Sequence, residues 1–383
     1  MLAMKVMLVV ENLVMDGVKR ATTVLGNALS TQAAVTFYAL AQPPVFFKLQ
    51  APLIVAPRPA DATINNFFGT RPLEKYAIQI TDLIATLRNQ KTDTVILPGG
   101  LLTSFAPAIK AALPNLNVIA WMHNNVNTYL NQYYVGMQTE FKLGLMAADT
   151  VVVLTDYDWE GYSRFNPHTV KIYNPLTLRP AEQPADLRQH TLAFTGRIDL
   201  QHKGVDYLVA LARELPSDWR LAIAGSGKPH DMATFHRLVD ELGVQDRIIY
   251  RGALQDVALQ QHYRQASIFV MASRWEGMPL VIGEAMAMGL PVVSMWNTGS
   301  AEYLQDSQYG VLTPAQDIWG LWRGLWPLLA HIKQREYYAQ QALLRSQDFT
   351  LARIVHQWWG LLTQQYLPQV IIQSTNDDAD LIG

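Results

Sequence analysis

The chain reads as an α/β protein built from two doubly wound domains. Three observations predict this. Thirteen short apolar segments rich in β-branched residues recur along the sequence, most of them separated by longer amphipathic or polar stretches. That alternation is the pattern of buried parallel strands joined by crossover helices. At 383 residues, half of them hydrophobic and 16% charged, the chain can also bury two cores of ordinary domain size.

The first strand is expected at 5–10. Met1-Leu2-Ala3-Met4 runs directly into it, so the start reads as a core strand rather than a secretory leader, which needs a longer apolar run and a cleavage site. Further strands are expected at 34–39, 53–56, 94–97, 117–121, 150–154 and 170–173. Helical spacing of apolar residues places helices at 75–89 and 105–112. Pro175, Pro180 and Pro184, with the polar stretch 179–189, interrupt the pattern. They set a first domain over 1–178 and a second over 186–350. The second repeats the logic with strands at 191–195, 220–224, 247–250, 268–271, 291–294 and 310–312. The tail 373–383 is polar and acidic and is expected to be disordered.

Composition narrows the function. No window of about 20 residues is purely apolar, so no transmembrane helix is expected. There is no cysteine, which removes disulfides and thiolate metal sites and suits a reducing cytoplasm. The net charge of −2 offers no footprint for nucleic acid. Residues 1–180 carry 14 basic and 11 acidic side chains, against 16 and 21 in the remainder. A mildly basic first half would favour an anionic acceptor or membrane surface, with chance the equal alternative.

The most informative stretch is Ser273-Arg274-Trp275-Glu276-Gly277-Met278-Pro279-Leu280-Val281-Ile282-Gly283-Glu284, continuing to Gly289-Leu290-Pro291. It reads as a strand end, a tight glycine turn and a short helix that stops at Gly289. Glu276 and Glu284, with seven residues between them, would face one pocket, with the helix-start N–H groups between. Free N–H groups and the helix dipole favour an anion there. Hydroxyl-seeking carboxylates around a phosphate-seeking helix end suit a sugar nucleotide.

This paired-glutamate pattern resembles that of retaining glycosyltransferases of the GT-B fold, family-4 type. Two upstream segments extend the resemblance over most of the C-terminal half. Phe194-Thr195-Gly196-Arg197-Ile198 with Lys203-Gly204-Val205-Asp206 is similar to the family's strand-Gly-Arg and Lys-Gly segment, and Ile223-Ala224-Gly225-Ser226-Gly227 to its strand-end Gly-x-Gly. In the N-terminal half, Trp121-Met122-His123-Asn124-Asn125 lies where the family places a histidine after a strand. The resemblance implies two Rossmann-like domains facing a cleft, with a last helix, 351–366, crossing back to the first domain.

It also implies roles. Arg197 and Lys203 would hold the two phosphates, where fixed cations stabilise a leaving group that gains charge. Glu284 would accept from both ribose hydroxyls and Glu276 from hydroxyls of the transferred sugar. Gly277, Met278, Pro279 and Leu280 would offer backbone N–H groups to sugar and phosphate. His123 would contact the donor sugar, since a neutral imidazole both donates and accepts. Gly196, Gly225 and Gly227 would let the backbone pass close to the nucleotide, and Arg251 would begin the loop that positions the base. Gly17 stands where the family has two adjacent glycines; here Asp16-Gly17 supplies one, and a plain turn before a helix is the alternative.

Two features stay open at this level. Asp156-Tyr157-Asp158 matches a divalent-metal pattern of another glycosyltransferase fold, but an N-cap at Thr155 or Asp156 accounts for it better. With no other metal-ligand spacing, no metal and no cofactor are expected. Trp319, Trp322 and Trp326 form an aromatic stripe at helical spacing. It reads as a packed helix, with a membrane surface as the alternative.

The expected activity is transfer of a hexosyl residue, with retention, from a nucleoside-diphosphate sugar, UDP first. The expected acceptor is a glycan, polyol-phosphate or lipid-linked molecule of a bacterial surface. The expected location is cytoplasmic, with peripheral contact at the inner face of the plasma membrane. A non-catalytic partner subunit and a GT-B epimerase or phosphorylase are the alternatives.

Overall fold

A computed structural model describes residues 4–42, 45–61, 70–180 and 183–364. The tail at 373–383, and the expected last helix beyond 364, lie outside the described residues.

Seven parallel strands form the first sheet: β1 (Lys5–Val10), β2 (Ala34–Ala41), β3 (Leu53–Ala60), β4 (Thr94–Pro98), β5 (Asn117–Trp121), β6 (Thr150–Val153) and β7 (Thr169–Lys171). Their order is β3-β2-β1-β4-β5-β6-β7. Six parallel strands form the second: β8 (Thr191–Thr195), β9 (Arg220–Ala224), β10 (Ile248–Tyr250), β11 (Ile268–Met271), β12 (Val292–Met295) and β13 (Val311–Thr313), in the order β10-β9-β8-β11-β12-β13. Each is a doubly wound Rossmann-like sheet whose strand order reverses beside its first strand. Ligands of such sheets bind beyond the carboxyl ends of the strands at that reversal.

The sequence explains the placements. β3 runs on through Pro57 and Pro59, four residues past the expected end, and is tolerated because it is an edge strand. The central strands β1, β4 and β5 are buried almost throughout, as their unbroken apolar runs demand. The single helix expected at 75–89 is two, Pro72–Lys75 and Ala77–Gln90, because Tyr76 leaves helical geometry at φ −110° and ψ 16°.

The last helix, Leu351–Leu362, packs beneath the first sheet. Ile354, Val355, Trp358 and Leu362 join one core with Val6, Leu8, Phe37, Ile119 and Trp121. The Trp121 and Trp358 rings meet edge-on at 4.9 Å. Trp358 is fully buried, and truncating such a ring typically costs about 3–5 kcal/mol.

The helix of the tryptophan stripe is packed as expected, with Trp322 against the core. This helix, Ile318–Ala330, also packs on the second sheet through Leu321, Leu325, Leu328 and Leu329. Trp319 and Trp326 face outward, 61% and 50% exposed. Among the described residues no helix is long and apolar enough to cross a membrane.

Candidate active site at the cleft between the two sheets

The site forms where loops following β1, β5, β8, β11 and β12 meet. After β11, the chain turns through Gly277 into the helix Leu280–Ala287. Gly277 has to be glycine, because a Cβ there would lie 2.1 Å from the His123 carbonyl oxygen and 2.7 Å from Asn124 Cα. The turn therefore presses on the loop after β5 in the other domain. Thr298 Oγ1 pins it by donating to the Glu276 carbonyl at 2.9 Å. Pro279 has no N–H, so the donors at this helix start are Gly277, Met278 and Leu280. Met278 is 4% exposed and packs in the second domain's core, and Leu280 packs on the core of the first. The helix ends where Gly289, at φ +75°, takes the left-handed conformation.

Glu276 is buried. Its Oε1 lies 2.5 Å from Lys203 Nζ and 3.8 Å from His202 Nε2. Burial alone would raise its pKa; the Lys203 ammonium outweighs that and holds the carboxyl below its usual range. Lys203 closes the short helix Leu200–Lys203, and Gly204 follows at φ +64°. A Cβ at Gly204 would lie 2.1 Å from the Ala272 carbonyl, so the Lys-Gly pair tucks the lysine under the strand that leads to Glu276. Arg197 stands beside them, more than half exposed, with Nη2 at 3.2 Å from both Asp199 Oδ2 and His202 Nδ1.

Glu284 lies deeper and is fully buried. Tyr263 Oη donates to Oε2 at 2.9 Å, Arg20 Nη1 reaches Oε1 at 3.0 Å, and Thr177 Oγ1 donates to the same Oε1. Arg20 belongs to the first domain's helix Gly17–Leu29 and crosses the cleft to this carboxylate. Gly17 opens that helix, and a Cβ on it would come within 3.9 Å of Leu280, so the loop after β1 meets the helix start of the second domain. Asp16 caps the helix, and Lys19 is clamped between Glu11 at 3.0 Å and Asp16 at 2.7 Å.

His123 is half-buried. Its Nε2 is buried and has no hydrogen-bond partner among the described residues. Burial, with Lys19 adding to it, lowers its pKa to about 3, so the ring is neutral. Two of the glycines after β8 and β9 are also required by packing. A Cβ on Gly225 would lie 1.8 Å from the Gly196 carbonyl, and one on Gly227 2.2 Å from the Ile198 carbonyl. The two loops are zipped backbone to backbone, with Gly196 N donating to Ala224 O and Ile198 N to Ser226 O. Arg251 follows β10, partly buried, which lowers its pKa.

Arg197, Lys203, Glu276, His123, Gly17 and Leu280 thus gather at one cleft. Sequence reasoning missed Arg20, three residues after Gly17, and His202, the neighbour of Lys203. It also missed the cross-cleft hydrogen bond from Trp275 Nε1 to Tyr133 Oη at 2.9 Å. Asp156 and Asp158 lie apart in function. Thr155 caps their helix, Asp158 is buried against Thr155 and Val126 N, and Asp156 pairs with Lys171 at 2.5 Å. Among the described residues no three His, Asp or Glu side chains converge as a cation site.

Residues 189–331 match the family model described as glycosyl transferases group 1. An uncharacterized glycosyltransferase of Haemophilus influenzae is 28% identical over 362 residues, spanning 90% of this chain and 96% of the relative. Sucrose-phosphate synthase from Thermosynechococcus elongatus superposes with a TM-score of 0.80 at 21% identity, over 94% of this chain and 99% of the other. Anabaena HepE in complex with UDP-glucose does so with a TM-score of 0.78 at 16% identity, over 94% and 100%. Taken with the two facing Rossmann-like sheets, these likenesses show the GT-B fold, with residues 189–331 matching the glycosyl transferases group 1 model within it.

Proposed function

We propose that the protein is a retaining, family-4-type glycosyltransferase. It moves a hexosyl residue from a nucleoside-diphosphate sugar, UDP-sugar first, to a hydroxyl of a cell-surface glycan, teichoic-acid-like or glycolipid acceptor. The observation that carries this reading is the gathering of Arg197, Lys203, Glu276 and His123 around the Gly277 turn, beyond the carboxyl ends of both sheets.

Each residue then has a task. Arg197 and Lys203 stabilise the diphosphate as it gains charge, aided by the N–H groups of Gly277, Met278 and Leu280. Glu276 accepts from sugar hydroxyls, and the orphaned His123 Nε2 supplies one more hydrogen bond. Glu284 accepts from the ribose once Arg20, the partner that comes from the other domain, yields. Arg251 borders the base. No metal is invoked, because Arg197 and Lys203 supply the positive charge, and no cofactor beyond the donor is needed.

Retention is proposed from the paired-glutamate resemblance, and the acids near β1 argue against a covalent route to it. Glu11 and Asp16 both hold Lys19, which leaves neither as a ready nucleophile. The acceptor oxygen then bonds to the anomeric carbon on the face from which the phosphate leaves. The anomeric carbon–phosphate oxygen bond breaks, and the acceptor's proton passes to the departing phosphate.

The HepE complex with UDP-glucose supports the donor class. The acceptor class is supported by the amylovoran biosynthesis glycosyltransferase AmsD of Erwinia amylovora, 25% identical over 225 residues, and by WaaG, involved in lipopolysaccharide biosynthesis, with a TM-score of 0.70. The proposed location, which suits such acceptors, is the cytoplasm with peripheral contact at the inner face of the plasma membrane. Calorimetric titration of the full chain with UDP, GDP and ADP, with and without EDTA, tests the reading. Binding of one nucleotide that survives EDTA is expected. No binding refutes the donor site and favours a non-catalytic partner subunit; binding abolished by EDTA refutes metal independence.

A further inference from the structure

His202 lies among the charged groups of the site and has no assigned part in it. Its Nε2 is 2.9 Å from the Trp275 carbonyl oxygen, which only accepts, so Nε2 carries a proton. Its Nδ1 is 3.2 Å from Arg197 Nη2, which only donates, so Nδ1 must present a lone pair. A single species satisfies both contacts: the neutral ring protonated at Nε2. The imidazole stacks on the Trp275 indole, with centroids 4.7 Å apart and planes within 4°. The Asp199 side chain caps the backbone N–H of His202 at 2.8 Å and also pairs with Arg197.

The charged groups facing the ring are Arg197, Lys203, Glu276 and Asp199. Burial is the largest influence on it and, with the two cations, lowers its pKa to about 4, which agrees with the neutral ring that geometry demands. Arg197 is more than half exposed on a flexible stem. Asp199 alone would draw it along the loop. The lone pair of Nδ1 supplies a second fixed point and so sets the direction of the guanidinium. Trp275 anchors the ring, and its indole N–H is itself bound to Tyr133 of the other domain. The aim of Arg197 is thereby tied to the closed cleft.

We propose that His202, as the neutral Nε2–H tautomer, is a positioning residue that aims Arg197 at the donor diphosphate. The inference rests on the reading of Arg197 as a phosphate ligand.

The test is calorimetry of UDP and of uridine on the full chain. His202→Phe keeps an aromatic ring for the stack and loses the lone pair. It should weaken UDP about fivefold, the scale of one hydrogen bond, and leave uridine within twofold. His202→Asn, whose side-chain oxygen can replace Nδ1 as acceptor, should restore most of the loss. On an Arg197→Ala background His202→Phe should cost less than twofold, because the two act as a unit. Equal weakening of UDP and uridine, an additive double variant, or UDP affinity unchanged in His202→Phe would each overturn the proposal. Failure of the unmodified protein to bind UDP, or unchanged UDP affinity in Arg197→Ala, would instead refute the donor-site reading, and the proposal with it.

Discussion

Gly277→Ala separates domain closure from folding. The added Cβ would stand 2.1 Å from the His123 carbonyl oxygen and 2.7 Å from Asn124 Cα. Carbon–oxygen contacts in proteins settle near ~3.3 Å or beyond, so the overlap exceeds about 1 Å. Both obstructing atoms are backbone of the other domain, and neither can rotate away. Overpacking of this kind typically costs about 1–3 kcal/mol. Because the clash exists only when the domains meet, that cost falls on the closed arrangement, shifting it by roughly 5- to 150-fold. Turnover efficiency should fall by that factor, while the melting temperature stays close to the parent's. Gly225→Ala is the contrasting variant. Its Cβ would lie 1.8 Å from the Gly196 carbonyl within the second domain, so the melting temperature itself should drop by roughly 2–12 °C. Donor turnover, a thermal melt and the small-angle scattering radius of each variant are the measurements. Near-normal turnover of Gly277→Ala, or a loss of melting temperature like that of Gly225→Ala, would show that the turn does not govern closure.

Arg197→Ala should cut turnover by roughly two to three orders of magnitude, as expected when one charge-stabilising group at a leaving anion is lost; steady-state kinetics would remove it from the phosphate site if turnover stayed near normal. Glu302 accepts from Lys171 at 3.0 Å, Tyr173 Oη at 2.6 Å and Asp156 N at 2.9 Å, knotting the two domains behind the cleft. Glu302→Gln should lower stability by about 1–3 kcal/mol in urea melts, less than for a fully buried pair because Lys171 is partly exposed; an unchanged midpoint would mean the knot contributes nothing. Burial lowers the pKa of His123 to about 3 and of His202 and His262 to about 4, so the folded chain refuses protons that the unfolded chain accepts. Stability should therefore fall as pH drops from about 6.5 towards 4. Asp158, raised by burial to about 6, works in the opposite sense between about 6 and 3.8, but one group opposes three. Higher stability at pH 4.5 than at pH 7 would refute the neutral histidines.

The strands were legible because buried parallel strands need apolar runs, and the central segments carry unbroken ones. The break at Tyr76 and the run of β3 through two prolines were not legible, since both depend on tertiary position rather than on local pattern. In the site, the motif residues stood out by type and spacing. Arg20 did not, because its partner Glu284 lies 264 positions away and only the cleft joins them. His202 was hidden for a related reason: its tautomer and its hold on Arg197 come from a carbonyl on another loop. The packing that also requires the glycines at 225 and 227 was not legible, because a sequence shows that a side chain is missing but not which atom would have met it.

The final helix gives the chain an order of assembly. Trp358 and its neighbours complete the core under β1 and β5, yet they are synthesised only after the whole second sheet. Between the end of β7 at Lys171 and the start of the helix at Leu351, translation at ~5–20 residues per second leaves an interval of about 10–40 s. Throughout it, Trp121 and the apolar face around it lack Ile354, Val355, Trp358 and Leu362, while Ala21, Leu25 and Leu29 of the first helix share that core. The half made first is thus the half finished last, and a ribosome stalled within the second domain would hold out a greasy, incomplete sheet for chaperones to guard.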